Sequence, residues 1–146
     1  MKILILHGPN LNLLGEREPD IYGHLTLKEI NKKIEAYLKE RKSQGRIFQS
    51  NGEGALIDFL HKNRKWAQGL VINPGAYTHY SFAIRDAIRS VGIPAVEVHL
   101  SDVKNREEFR KISVISPVCI AQISGLGWNS YIEGIKVLLE RETHGG

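Results

Sequence analysis

Ile3-Leu4-Ile5-Leu6 runs without a break into His7-Gly8-Pro9-Asn10-Leu11-Asn12-Leu13-Leu14-Gly15-Glu16-Arg17-Glu18-Pro19-Asp20-Ile21-Tyr22-Gly23. The four apolar residues read as a buried strand of the kind covered on both faces in a parallel sheet. The segment after them holds three glycines, two prolines and two asparagines, a composition that predicts an irregular connection rather than a regular element. Yet it also carries leucines, an arginine and a tyrosine, for which a solvated linker has no use. A functional lid is expected here, hinged at Gly15 and Gly23, so function begins where the first strand ends.

Outward from that stretch, strands and helices alternate. Thr26-Leu27-Lys28-Glu29 is a capping box, and Leu27, Ile30, Ile34, Tyr37 and Leu38 recur at helical spacing, which predicts a helix from Leu27 to Lys42. Ile47-Phe48 marks a second strand, Ala55 to Lys62 a second helix, Gly69 to Ile72 a third strand and Ser81 to Ser90 a third helix. Ala95 to Leu100 reads as the fourth strand, Arg106 to Lys111 as a short helical turn, and Cys119 to Ser124 as the fifth strand. A last amphipathic helix follows Gly125-Leu126-Gly127, with Ile132, Ile135, Leu138 and Leu139 on its buried side. Right-handed crossovers between parallel strands place helices on both faces of the sheet. The predicted fold is therefore a flavodoxin-like α/β three-layer sandwich with strand order 2-1-3-4-5. In that order strands one, three and four adjoin, and ligands bind beyond their C-terminal ends. Those ends carry Asn10, Asn73 and His99.

Composition bounds the class. A chain of 146 residues suits one domain with a core that needs neither disulfide nor metal. Its one cysteine, Cys119, reads as a small buried hydrophobe in a reducing compartment. No signal peptide or membrane-spanning run is present, so a cytoplasmic protein is expected. The net charge of +4 comes from basic residues mixed with acidic ones, as in Lys104-Asn105-Arg106-Glu107-Glu108, which argues against nucleic-acid binding. Phosphate loop, dinucleotide fingerprint, nucleophile elbow and paired metal-binding histidines are all missing. Neither a metal nor a cofactor is expected.

What remains is Tyr22 on the same stretch as Arg17, His99 flanked by Glu97 and Ser101, and the asparagines Asn10 and Asn73. Each also has a plain reading: a packed ring, a solvated charge, a structural histidine and turn formers. Together they meet the needs of proton removal beside a ketone, which requires a base, an enolate stabiliser and an acid for a departing hydroxyl. Tyr22 serves as base only as a phenolate, which a neighbouring cation such as Arg17 would favour. Alternation along the fourth strand points Glu97, His99 and Ser101 the same way, so Glu97 can orient His99 as the acid. The asparagine amides are suited to a developing oxyanion.

These residues carry a resemblance. Gly8-Pro9-Asn10-Leu11-Asn12 with Gly15, Arg17, Pro19, Tyr22 and Gly23, Asn73-Pro74-Gly75-Ala76 with His79, and Val96-Glu97-Val98-His99-Leu100-Ser101 with Arg106 and Arg110 closely resemble the type II 3-dehydroquinate dehydratases, nearly end to end. The resemblance implies a cofactor-free anti elimination of water from 3-dehydroquinate, giving 3-dehydroshikimate of the shikimate pathway through an enolate. It implies Tyr22 as proton acceptor, Arg17 as stabiliser of the phenolate, and His99 as proton donor. It further implies substrate contacts from Asn73, His79, Leu100, Ser101 and Arg110, with Asp86 reaching the substrate of a neighbouring subunit in a dodecamer built of four trimers. Asn10, Glu97 and Arg106 are expected to support the site. His7 stands where many members have asparagine and Gly52 where many have histidine; Tyr80 stands at a variable position. Apart from the resemblance, the main alternative is a non-catalytic module that binds a small anion, which has use for an arginine but none for a reactive phenol. A scaffold protein leaves the polar groups at three neighbouring strand ends unexplained.

Overall fold

The computed structural model describes residues 1–16, 18–102 and 107–145. Strands β1 (Lys2–His7), β2 (Gln44–Gln49), β3 (Gly69–Asn73), β4 (Ala95–His99) and β5 (Ala121–Ser124) form one sheet in the order β2-β1-β3-β4-β5. Every neighbouring pair is parallel, which is the order expected from the sequence. Helices α1 (Pro19–Tyr22), α2 (Leu27–Glu40), α3 (Glu53–Asn63), α4 (Phe82–Val91) and α5 (Asn129–Gly145) lie among them.

The period of two along the strands sorts the core into two layers. Ile3, Ile5, Val71, Val96 and Val98 face Ile30, Ile34 and Leu38 of α2 and Tyr131, Ile135 and Leu138 of α5. Leu4, Leu6, Leu70, Ile72 and Ala95 face Leu56 and Leu60 of α3 and Ile84, Ala87 and Ile88 of α4. The same alternation therefore decides which layer each polar residue at a strand's end will meet. His7 and Asn73, opposite one another in the β1–β3 register, continue the α2/α5 side. Glu97 and His99 continue the side of α3 and α4.

The Thr26–Glu29 capping box is present: the Glu29 N–H donates to Thr26 Oγ1 at 3.2 Å and the Thr26 N–H to Glu29 Oε1 at 3.1 Å. Two elements differ in detail from the expectation. The stretch after β1 is less irregular than its composition predicts, because Leu11–Leu13 forms a 3-10 turn and Pro19 at the first helical position starts the single-turn α1. Gly15 and Gly23 both have φ of +90°, the conformation that glycine supplies and that segment ends require. The fifth strand begins at Ala121 rather than Cys119, since Ser116–Val118 forms a 3-10 turn and leaves Cys119 half-buried outside the sheet. Burial pushes its thiol up to about 12, so it behaves as the inert apolar side chain that its surroundings suggest.

Candidate active site

Parallel strands end on one side, so the loops after β1, β3 and β4 meet at a common rim. Gly8 draws the first two together. Its N–H donates to the Asn73 carbonyl at 2.7 Å, and a Cβ on Gly8 would sit 2.5 Å from the Pro74 oxygen. Beyond this rim lies a cavity of about 110 Å³ lined by Pro9, Asn10, Leu11, Tyr22, Asn73, Gly75, Ala76, His79, His99, Leu100, Ser101 and Arg110.

The β4 side holds a tightly bonded cluster around Glu97. His99 Nε2 donates to Glu97 Oε2 at 2.5 Å, and the Thr78 hydroxyl donates to the same oxygen. The Ser113 hydroxyl donates to Glu97 Oε1 at 2.7 Å, its own oxygen accepting the N–H groups of Ile115 and Ser116. Burial pushes the Glu97 carboxyl upward, but the bond and charge of His99 and the bonds of Thr78 and Ser113 outweigh it and hold the group below the usual carboxylate range. Glu97 is wholly buried beneath the cavity and does not line it. With Nε2 committed to the carboxylate, the other ring nitrogen of His99 is the one available to a ligand. Ser101 lies beyond the end of β4, so its orientation comes from the loop rather than from the pleat that turns Glu97 and His99 to one side.

The β3 side is equally constrained. Asn73 is only 3% exposed; its Oδ1 accepts from the Gly75 N–H at 3.1 Å, while Nδ2 donates to Tyr131 Oη at 3.2 Å. His79 Nδ1 donates to the Ile112 carbonyl at 2.6 Å, which leaves Nε2 as the other ring position. Arg110 faces the cavity with a buried Nε that has no hydrogen-bond partner among the described residues; the Glu107 carboxylate lies 3.6 Å from it. A buried guanidinium nitrogen in that condition suits an anionic ligand.

The β1 side differs. Asn10 adopts a left-handed conformation, φ 69°, tolerated by asparagine, and its N–H donates to Asn51 Oδ1 at 2.9 Å. Tyr22, at the end of α1, is half-buried, with its ring against the α2/α5 core and its edge in the cavity. The cavity thus unites eight of the residues singled out in the sequence: Asn10, Tyr22, Asn73, His79, His99, Leu100, Ser101 and Arg110. Asp86 is not among them; it is exposed on α4. Arg17 and Arg106 lie outside the described residues. No group of three or more metal-binding side chains occurs among the described residues.

The profile of the family described as dehydroquinase class II matches residues 1–139. This chain belongs to that family. The 3-dehydroquinate dehydratase of Dictyoglomus turgidum is 51% identical over 138 residues, covering 94% of this chain and 95% of the relative. A type II dehydroquinase crystal structure from Butyrivibrio crossotus superposes with a TM-score of 0.94 at 50% identity, covering 95% of this chain and 97% of that one. A second, from Propionibacterium acnes, gives 0.89 at 36% identity over 94% and 96% of the two chains.

The two positions expected from the resemblance to differ, His7 and Gly52, both lie off the cavity wall. Gly52 precedes α3 in an extended conformation, φ −95° and ψ 127°, which any residue adopts. His7 is fully buried below the rim. Sequence reasoning missed Thr78 and Ser113 under Glu97, and Tyr131 behind Asn73. Thr78 sits inside the Asn73–His79 motif and Ser113 three residues before Ser116-Pro117, a spacing suited to a hydroxyl that collects loop N–H groups. Tyr131 shares the apolar stripe of α5 with Ile135 and Leu138, and nothing in that stripe marks it as polar.

Proposed function

We propose that this chain is a 3-dehydroquinate dehydratase of the shikimate pathway, a hydro-lyase that acts without a cofactor. The observation that carries the reading is the convergence of Tyr22, Asn73, His79, His99, Leu100, Ser101 and Arg110 on one cavity at the rims of β1, β3 and β4, backed by the buried Glu97–His99 pair.

In the proposed reaction the Tyr22 phenolate takes the proton next to the ketone of 3-dehydroquinate. The electron pair of that C–H bond passes to the ketone oxygen as an enolate, which the Asn73 and Asn10 amides, both on the cavity wall, are assigned to hold, directly or through water. The enolate then collapses, the C–O bond to the departing hydroxyl breaks, and that oxygen leaves as water with a proton from His99. The cation that the phenolate needs is assigned to Arg17 from the resemblance of the sequence. Glu97 keeps His99 turned so that its free nitrogen delivers the proton. The substrate carboxylate is assigned to the Leu100–Ser101 backbone and Arg110. The Leu100 carbonyl accepts from the Gly127 N–H; in a planar trans peptide the Ser101 N–H that follows it points the opposite way. His79 joins this binding set, and Arg106 supports it.

The active form is proposed to be a dodecamer of four trimers in the cytoplasm, each chain supplying one catalytic domain. Asp86 and Phe82 are four residues apart on α4, and both are exposed, as is Tyr80 beside them, which suits a face covered by a neighbouring subunit whose substrate Asp86 reaches. Adding 3-dehydroquinate to the purified protein should raise the ultraviolet absorbance of a conjugated enone, and borohydride added with substrate should leave turnover intact because no imine forms. A flat absorbance trace removes the assignment, and inactivation by borohydride removes the mechanism.

A further inference from the structure

A polar chain runs behind the cavity wall and ends on helix α2. His7 and Asn73 are paired across β1 and β3, and both turn toward the hydroxyl of Tyr131 on α5. Asn73 Nδ2 reaches Tyr131 Oη at 3.2 Å, His7 Nδ1 lies 2.7 Å from the same oxygen, and His7 Nε2 lies 2.8 Å from Asn31 Oδ1 on α2. His7 and Tyr131 are wholly buried and Asn73 nearly so, so the two bonds that meet at Tyr131 are shielded from water, while Asn31 at the end of the polar chain is half-buried.

Donor and acceptor requirements give the chain one direction. The Gly75 N–H claims Asn73 Oδ1, so the Asn73 amide presents an N–H to Tyr131, whose oxygen accepts it. The Tyr131 O–H must then donate to His7 Nδ1, which has to be bare. His7 Nε2 carries the proton and donates it to Asn31 Oδ1, an acceptor with no hydrogen to offer. We infer that His7 and Tyr131 are positioning residues for the reaction: neutral His7, held as its Nε2–H tautomer, orients the Tyr131 hydroxyl, and this fixes the Asn73 amide with its second N–H turned to the cavity. The inference rests on the proposed contact between Asn73 and the reacting substrate. Burial agrees with it, lowering His7 to about 4 despite the opposing bond to Asn31. Burial likewise keeps the Tyr131 phenol well above its ordinary value, so it remains a neutral hydroxyl. A protonated His7 would turn a second donor on Tyr131 Oη and strand the O–H of the tyrosine.

The test is kinetic and includes its own control. Tyr131→Phe and His7→Leu should each lower kcat about 10-fold to 100-fold, as misplacement of an oxyanion donor does, with KM changed far less. His7→Asn, whose Oδ1 falls near the place of Nδ1, should restore kcat to within about threefold of the parent. In an Asn73→Ala background, Tyr131→Phe should have no further effect, a silence that general loosening of the core would not produce. If Asn73→Ala lowers kcat while folded Tyr131→Phe and His7→Leu proteins keep the parental value, the positioning role is wrong and the site reading stands. If Asn73→Ala itself leaves kcat unchanged, the site reading is wrong. Nitrogen NMR of histidine-labelled parent protein gives an answer even where a variant fails to fold: His7 must show a protonated Nε2 and a bare Nδ1, and the reverse tautomer overturns the inference.

Discussion

The two walls of the cavity are built on different principles. On the β3–β4 side, Asn73, Glu97 and His99 are buried and each makes at least two side-chain bonds or sits against a group that does. On the β1 side, Tyr22 stands on a single helical turn between Gly15 and Gly23, both at φ +90°, and is half-buried with its ring against the core. In the reaction proposed above, His99 as acid must meet one departing oxygen at a set angle and gains from being locked, whereas Tyr22 as base, carried on a short turn, can be placed by the substrate itself. The contrast teaches that rigidity here is spent on direction rather than distributed evenly around the site.

The sharpest way to break this contrast is to delete the chemistry of the tethered wall while keeping its shape. Tyr22→Phe should reduce kcat about 10²-fold to 10⁴-fold, the usual worth of a positioned base, with substrate affinity by calorimetry largely retained; turnover near the parental rate would place the base elsewhere.

The buried groups behind the locked wall, His7 through Tyr131 and Asn73, and Glu97 beneath His99, are tested by acid. The folded chain keeps His7 neutral down to about pH 4, while the unfolded chain takes up its proton near 6.5. The unfolded state therefore binds more protons between those values, and stability falls as pH drops through that window, by about 3 kcal/mol in all. Glu97 acts in the same sense further down: its folded carboxyl lies below the ordinary 4.5, so its contribution is present above that value and disappears as pH falls below it. Urea unfolding at pH 7, 5.5 and 4.5 should show the decline, and His7→Asn should flatten its upper part. An unchanged midpoint across that range would mean that His7 is already charged in the folded protein.

The smallest effect belongs to the tether. Gly23→Ala meets no atom within 4 Å but keeps a φ of +90°, so strain alone should cost about 1 kcal/mol. A thermal midpoint lowered by a few degrees, with KM and kcat both altered as Tyr22 shifts, is the expected signature; unaltered kinetics would detach the glycine from the site.

Most of the architecture was legible because hydrophobic periodicity is strong in a sheet covered on both faces. The runs Ile3–Leu6 and Gly69–Ile72 and the stripe Ile30, Ile34, Leu38 of α2 needed no tertiary knowledge. The edges were harder. β2 starts at Gln44 rather than Ile47 because Gln44, Gly45 and Arg46 are exposed at the margin of the sheet and show no apolar pattern, and the apolar residues before Ala121 serve a turn instead of a strand. Within the site, residues at strand ends could be read because parallel strands gather their ends. Thr78, Ser113 and Tyr131 could not, since a hydroxyl acquires its role only from a partner brought near by folding. The Tyr131–His7 contact spans 124 positions of chain, and nothing local records it.

The tight meeting of Gly8 with Pro74 has one more consequence. Two arches that touch backbone to backbone leave no room for a side chain at Gly8 against Pro74, and little for one at Gly75 against Pro9. The Gly8-Pro9-Asn10 and Asn73-Pro74-Gly75 segments therefore fit only as a pair, and a chimaera that replaces one of them with a bulkier segment should keep its sheet yet lose the mouth of the pocket.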